Sequence, residues 1–142
     1  MAGKRNLEDD DYRRLLEFRT GLRHFLRWSA REAEKQGLTP TQHQLLLAVR
    51  GHDDPRGPTI SDVARCLLLR HHSAVELVDR AQAARLLRRV ADPDDRRLVR
   101  LVLTPTGAKK LEAVTIPTLK QLDEMAPQLR SVGNTWEAST QD

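Results

Sequence analysis

Six arginines lie between residues 85 and 100, at positions 85, 88, 89, 96, 97 and 100, with no lysine among them. A guanidinium fork suits phosphate or a narrow polyanion groove better than an ammonium does. A charge run is also what an ordinary solvated face looks like, so the setting has to separate the two readings. Within the run, Asp92-Pro93-Asp94-Asp95 reads as a turn between two short strands, and Arg96-Arg97 closes it. Neighbouring strand residues point to opposite faces, so one arginine can reach outward while an aspartate braces the other. A hairpin-tip arginine fits a minor groove, where narrowing concentrates negative potential.

Just before this run, residues 71–84 have helical periodicity. At 100° per residue, Ala74, Val75, Leu77, Val78, Ala81 and Ala84 fall on one side, and His72, Ser73, Glu76, Asp79, Arg80 and Ala83 on the other. His72 and Ser73 can hydrogen-bond base edges, and Glu76 can accept from a cytosine amino group. Arg80 is placed to reach a phosphate or to pair with Glu76. An amphipathic surface helix would show the same split, and the adjacent arginine hairpin favours the DNA reading. Elsewhere the chemistry is sparse. His71 and His72 diverge by 100° and do not form a ligand pair, with His71 expected to pack or cap. His24, His43 and His52 lack ligand spacing, so no metal or other cofactor is expected. Cys66 lies off the Ile60–Leu67 apolar stripe and is better read as partly exposed than as a redox switch. No glycine-rich phosphate loop, nucleophile elbow or acid pair is present, so the chain is not read as an enzyme.

The elements that would position these residues can be read in order. Asp9–Lys35 is one long helix, with Leu15, Phe18, Leu22, Phe25 and Ser29 on a stripe that Leu16, Leu26, Ala30 and Ala33 widen. That apolar surface exceeds what a peripheral helix needs, and a second chain is a plausible use for it. Thr39 and Gln42 form a capping box for a helix ending near Gly51, and Thr59 and Asp62 form another. His52–Pro58 is a loop. Leu87–Ala91 and Arg97–Thr104 read as strands, with Val99, Leu101 and Leu103 alternating against Arg100 and Val102. Thr104-Pro105 opens a final helical region that Pro117 and Pro127 are expected to interrupt, leaving a short last helix and a frayed tail from Gly133.

Composition narrows the class. At 142 residues the chain is expected to be one domain, by a prior of roughly 150 residues per domain. The core must be mostly leucine and valine, since aromatics are only 4%. The net charge of +4 decides little, but residues 62–100 hold nine basic against six acidic side chains. A single cysteine excludes a disulfide scaffold. No apolar run approaches the roughly 20 residues of a membrane helix, so no membrane association is expected. Met1–Asp11 lacks an apolar core for secretion, and a cytoplasmic protein is expected.

Together these motifs resemble the multiple antibiotic resistance regulator (MarR) family of winged-helix transcription factors. The resemblance rests on Leu38-Thr-Pro-Thr-Gln-His-Gln-Leu45, Thr59-Ile-Ser-Asp-Val-Ala64 and Val78-Asp79-Arg80, then on Asp92–Arg97 and Leu103-Thr104-Pro105-Thr106-Gly107. It implies a mainly α fold with a small β-hairpin, a winged helix-turn-helix flanked by long N- and C-terminal dimerisation helices. In these boundaries the dimerisation helices span about 9–36 and 105–132, and the winged helix-turn-helix about 38–104. The implied function is a homodimeric regulator, often a repressor, on pseudopalindromic double-stranded DNA, released by a small, commonly aromatic effector. His72, Ser73, Glu76 and Arg80 would read the major groove. Arg97 would enter the minor groove, with Arg96 beside it and Asp94 and Asp95 shaping the wing. His24, Trp28 and His43 are effector-pocket candidates by type and element alone, and a tryptophan at this spacing serves equally as core or interface. Arg85 stands where the family usually has glycine, which implies either a strained left-handed Arg85 or a helix running past it. Ala81, often leucine in the family, implies looser packing beneath the helix. The alternative function is a winged-helix interaction or dimerisation module that has lost DNA binding.

Overall fold

The computed structural model describes the backbone of residues 6–140 and the side chains of residues 6–127. Seven elements follow one another: α1 (Asp9–Lys35), α2 (Pro40–Arg50), α3 (Ile60–Cys66), α4 (His71–Ala83), β1 (Leu87–Ala91), β2 (Val99–Leu103) and α5 (Pro105–Thr140). The chain divides into two compact units, one of Ala30–Ile116 and one of Met1–Ser29 with Pro117–Asp142.

In the first unit, local chemistry sets the helix ends. The Thr39 hydroxyl accepts from the Gln42 N–H while the Gln42 side chain accepts from the Thr39 N–H, and Thr59 and Asp62 repeat the arrangement at α3. Each box satisfies two orphan donors of a first turn. Three helices end in the same hydrogen-bonded motif, whose penultimate residue is left-handed. After α1 the left-handed residue is Gly37, but after α3 it is Leu68 (φ 55°) and after α4 it is Arg85 (φ 58°). At α4 the Leu86 N–H reaches the Ala81 carbonyl and the Arg85 N–H reaches Gln82. Of the two outcomes open for Arg85, the structure adopts the strained one.

The core of this unit joins Leu45, Leu46 and Val49 of α2, Val63 of α3, Val78 and Ala81 of α4, and Leu87 and Leu101 of the hairpin. β1 and β2 pair antiparallel, Leu87 opposite Leu103 through Ala91 opposite Val99. The expected alternation along β2 is only partly right. Val99 is exposed and Arg100 is buried, because Arg100 finds acidic partners inside.

In the other unit, Tyr12, Leu15, Leu16 and Leu26 of α1 and Leu119 of α5 are each more than half exposed in the single chain. Phe25 and Trp28 stack with ring centroids 6.4 Å apart. α5 departs from the expected short helix: it runs as one helix to Thr140 with Pro117 and Pro127 inside it. An interior proline costs roughly 3 kcal/mol by removing one hydrogen bond and crowding one carbonyl, but that cost is local. Leu111, Val114, Thr118, Leu122 and Met125 keep one helical stripe across Pro117.

Candidate nucleic-acid interface

α4 follows Arg70, which has extended backbone and makes no side-chain cap. Ala74, Val78 and Ala81 are buried, with Ala81 fully enclosed. His72, Glu76 and Arg80 are exposed and Ser73 is half-buried, so the structure brings the four expected reading residues onto the outer face of one helix. One neighbour differs from expectation. His71 is exposed rather than packed, since the first turn projects beyond the core. Arg80 forms no ion pair with Glu76 among the described residues. The ion pair on this helix belongs instead to Asp79, whose carboxylate lies 2.6 Å from the Arg89 guanidinium of β1. Arg89 also donates to the Gln82 side chain. The hairpin is thereby tied to the helix through a side chain from each.

At the other end of the hairpin, Asp92 organises the turn. Its Oδ1 accepts from the Asp94 and Asp95 N–H groups at 2.8 and 2.9 Å, and its Oδ2 accepts from Arg100 Nε at 2.8 Å. Those backbone donors, then Arg100, hold the Asp92 carboxyl below the usual carboxylate range. Asp95 accepts from Arg97 Nε at 3.1 Å and from the Arg97 N–H at 3.0 Å, and its carboxyl is lowered by the Arg97 side chain first. The Arg97 side chain is 90% exposed all the same, so it is braced and still presented to solvent. Arg96 is exposed beside it, and Asp94 is exposed within reach of Arg56.

The arginine run is therefore not one uniform basic face. Arg89, Arg97 and Arg100 each pair with an aspartate, and Arg100 is almost entirely buried. Sequence reasoning missed the partners of Arg100. Besides Asp92 they come from the 52–58 loop, where the Gly57 carbonyl accepts from Arg100 at 3.2 Å and Asp54 lies 3.7 Å away. The Asp54-Pro55-Arg56-Gly57 turn was the available signal, but nothing local pointed it at residue 100.

The three effector-pocket candidates lie apart in kind. His24 is exposed on α1, Trp28 is half-buried against Phe25, and His43 is buried on α2 with its pKa pushed down by burial. None of the three lines the open cavity of about 420 Å³ between α2 and α3, which Leu47, Pro58, Val63 and Leu67 wall. Cys66 is exposed and borders that cavity. Among the described residues no group of three or more His, Cys, Asp and Glu could hold a metal ion, and no helix is long and apolar enough to cross a membrane.

The sequence model of the MarR family matches residues 36–98. The chain is 31% identical over 81 residues to the HTH-type transcriptional repressor MdtR of Bacillus subtilis strain 168, covering 57% of this chain and 50% of that protein. It is 34% identical over 67 residues to the uncharacterized HTH-type transcriptional regulator YsmB of the same strain, covering 47% and 46%. The chain thus spans about half the length of the curated relatives it matches. The crystal structure of the MarR family transcription regulator SP03579 superposes with a TM-score of 0.73 at 22% identity, over 94% of this chain and 86% of that one. The Staphylococcus aureus MepR–DNA complex superposes at 0.66 and 20% identity, over 88% and 94%. The order of helices and hairpin is thus shared with solved MarR-family structures, and residues 36–98 match the sequence model of the MarR family.

Proposed function

We propose that the chain is a sequence-specific DNA-binding transcription regulator that acts as a homodimeric repressor on a pseudopalindromic site. The observation that carries this reading is the pairing of one polar helix face with one braced, exposed arginine at the hairpin turn. His72, Ser73, Glu76 and Arg80 supply donors and acceptors for base edges in the major groove, and Arg97 enters the minor groove beside Arg96. Asp94 and Asp95 shape the turn that carries them. A DNA-bound relative of the same fold and a relative named as a repressor support the assignment. The exposed leucines of α1 support a dimer, since a face that apolar is stable in water when a second copy covers it. A two-fold dimer would space its half-sites roughly one turn of DNA, about 10–11 base pairs, apart. A small aromatic effector would release the DNA by favouring a different separation of the two α4 helices.

The test begins with selection of bound genomic fragments by the purified protein, followed by gel shift against random competitor duplex. Preference for the selected sequence is expected, and equal competition by random duplex would favour an interaction module instead. Arg97→Ala should weaken binding and reduce the slope of log affinity on log salt by about one. Unchanged affinity at two salt concentrations would remove Arg97 from the interface.

A further inference from the structure

A two-stranded hairpin is marginal by itself in water, and this one is held from outside by the loop between α2 and α3. The Leu101 N–H donates to the Pro58 carbonyl at 2.8 Å, beyond the edge of β2. Gly57 (φ 92°) packs so closely that a Cβ there would lie 2.2 Å from the Leu101 carbonyl oxygen. Around this backbone contact, two arginines and two aspartates alternate. Arg56 reaches Asp54 Oδ2 at 2.8 Å and Asp92 Oδ2 at 3.4 Å, while Arg100 reaches Asp92 Oδ2 at 2.8 Å and Asp54 Oδ2 at 3.7 Å. Each aspartate is shared by both arginines, and each segment, loop and hairpin, contributes one of each sign. Arg56 also donates from Nη1 to Asp94 Oδ2 at 3.4 Å and from Nε to Asp54 Oδ1 at 3.1 Å.

We propose that Arg56 is a wing-positioning residue, and that the 52–58 loop is a latch fixing the height of the hairpin turn that carries Arg96 and Arg97. All three side-chain nitrogens of Arg56 are committed to carboxylates, so the guanidinium is spent on geometry rather than on phosphate. The bridging needs a planar fork, which a lysine ammonium lacks. Exposed ion pairs contribute little to global stability, so the latch acts on where the turn sits more than on whether the chain folds.

The inference rests on the DNA-binding reading, and its test separates the two. Amide hydrogen exchange is followed in Arg56→Ala, Arg56→Lys and the parent protein, with DNA affinity measured on a duplex selected by the parent at several salt concentrations. In Arg56→Ala, exchange at Asp94, Asp95 and Leu101 should rise about fivefold or more, with the α2 and α4 core amides unchanged. Affinity should fall roughly three- to tenfold with the salt slope preserved. Arg56→Lys should behave like Arg56→Ala. Unchanged exchange at the three amides would overturn the proposal, as would faster exchange with unchanged affinity. A salt slope reduced by about one would make Arg56 a phosphate contact and overturn it as well. If the parent protein binds no duplex, the regulator reading falls, while the exchange data still decide whether the latch exists.

Discussion

Replacing Arg85 by glycine tests how the end of α4 is built. Arg85 sits at φ 58° in the turn that closes the helix, with its N–H on Gln82 and its carbonyl accepting from the Thr104 hydroxyl at 2.6 Å. All of these are backbone bonds at residue 85, so glycine keeps them. The Arg85 side chain is exposed and makes no ion pair among the described residues, so its removal takes away no contact there. A left-handed L-residue costs roughly 1–2 kcal/mol, and glycine returns about 0.4–1 kcal/mol of that through its freer unfolded chain. The net gain is about 0.5–1 kcal/mol. With an unfolding entropy of about 2.1 cal/mol/K per residue over 142 residues, Tm should rise by roughly 2–3 °C. Leu68→Gly repeats the experiment at the end of α3, where the side chain is 91% exposed and its loss sacrifices almost no burial. The assay is thermal unfolding by circular dichroism at fixed protomer concentration, because association would make Tm depend on concentration. The double variant should gain the sum of the two. If both single variants melt at or below the parent, the strain argument is wrong.

Gly107→Ala should destabilise by on the order of 3 kcal/mol in urea unfolding, because a Cβ there would lie 1.9 Å from the Leu86 carbonyl oxygen; a midpoint within error of the parent would refute the close approach. Burial disfavours protonated His43, so the unfolded chain binds that proton first and stability falls as pH drops below about 6.5. His43→Gln should flatten that loss in urea midpoints taken from pH 7 to 5, and an unaltered pH dependence would place the loss elsewhere. Leu26→Glu should convert the proposed dimer, of twice 16.2 kDa, into the monomer in sedimentation equilibrium, whereas an unchanged mass would remove this face of α1 from the proposed interface.

The helix starts were legible because caps are local: Thr39 with Gln42 and Thr59 with Asp62 declare themselves within four residues. The outer face of α4 was legible for the same reason, as periodicity separates His72 and Glu76 from Val78 without knowledge of the fold. The latch was not. Asp54 and Arg100 are 46 positions apart, and no local pattern distinguishes an arginine aimed at solvent from one aimed at a loop. β2 misled in the same way, since alternation assigns Arg100 outward while two aspartates draw it in. The prolines of α5 were overread, because each removes one hydrogen bond but neither dictates that the apolar stripe must stop.

The carbonyls of Arg85 and Leu86 receive the hydroxyl and the N–H of Thr104, and the Gly107 N–H in turn donates to that hydroxyl. The chain therefore leaves the end of α4 and returns to the same spot before α5 begins, making the hairpin a closed excursion with a clamped neck. Doubling a flexible loop adds only about 0.6 kcal/mol of closure entropy. Residues 93–98, beyond the Asp92 hub, can thus lengthen or shorten while the elements on either side stay in place, and the reach of the turn can vary among sequences without redesign of the body that carries it.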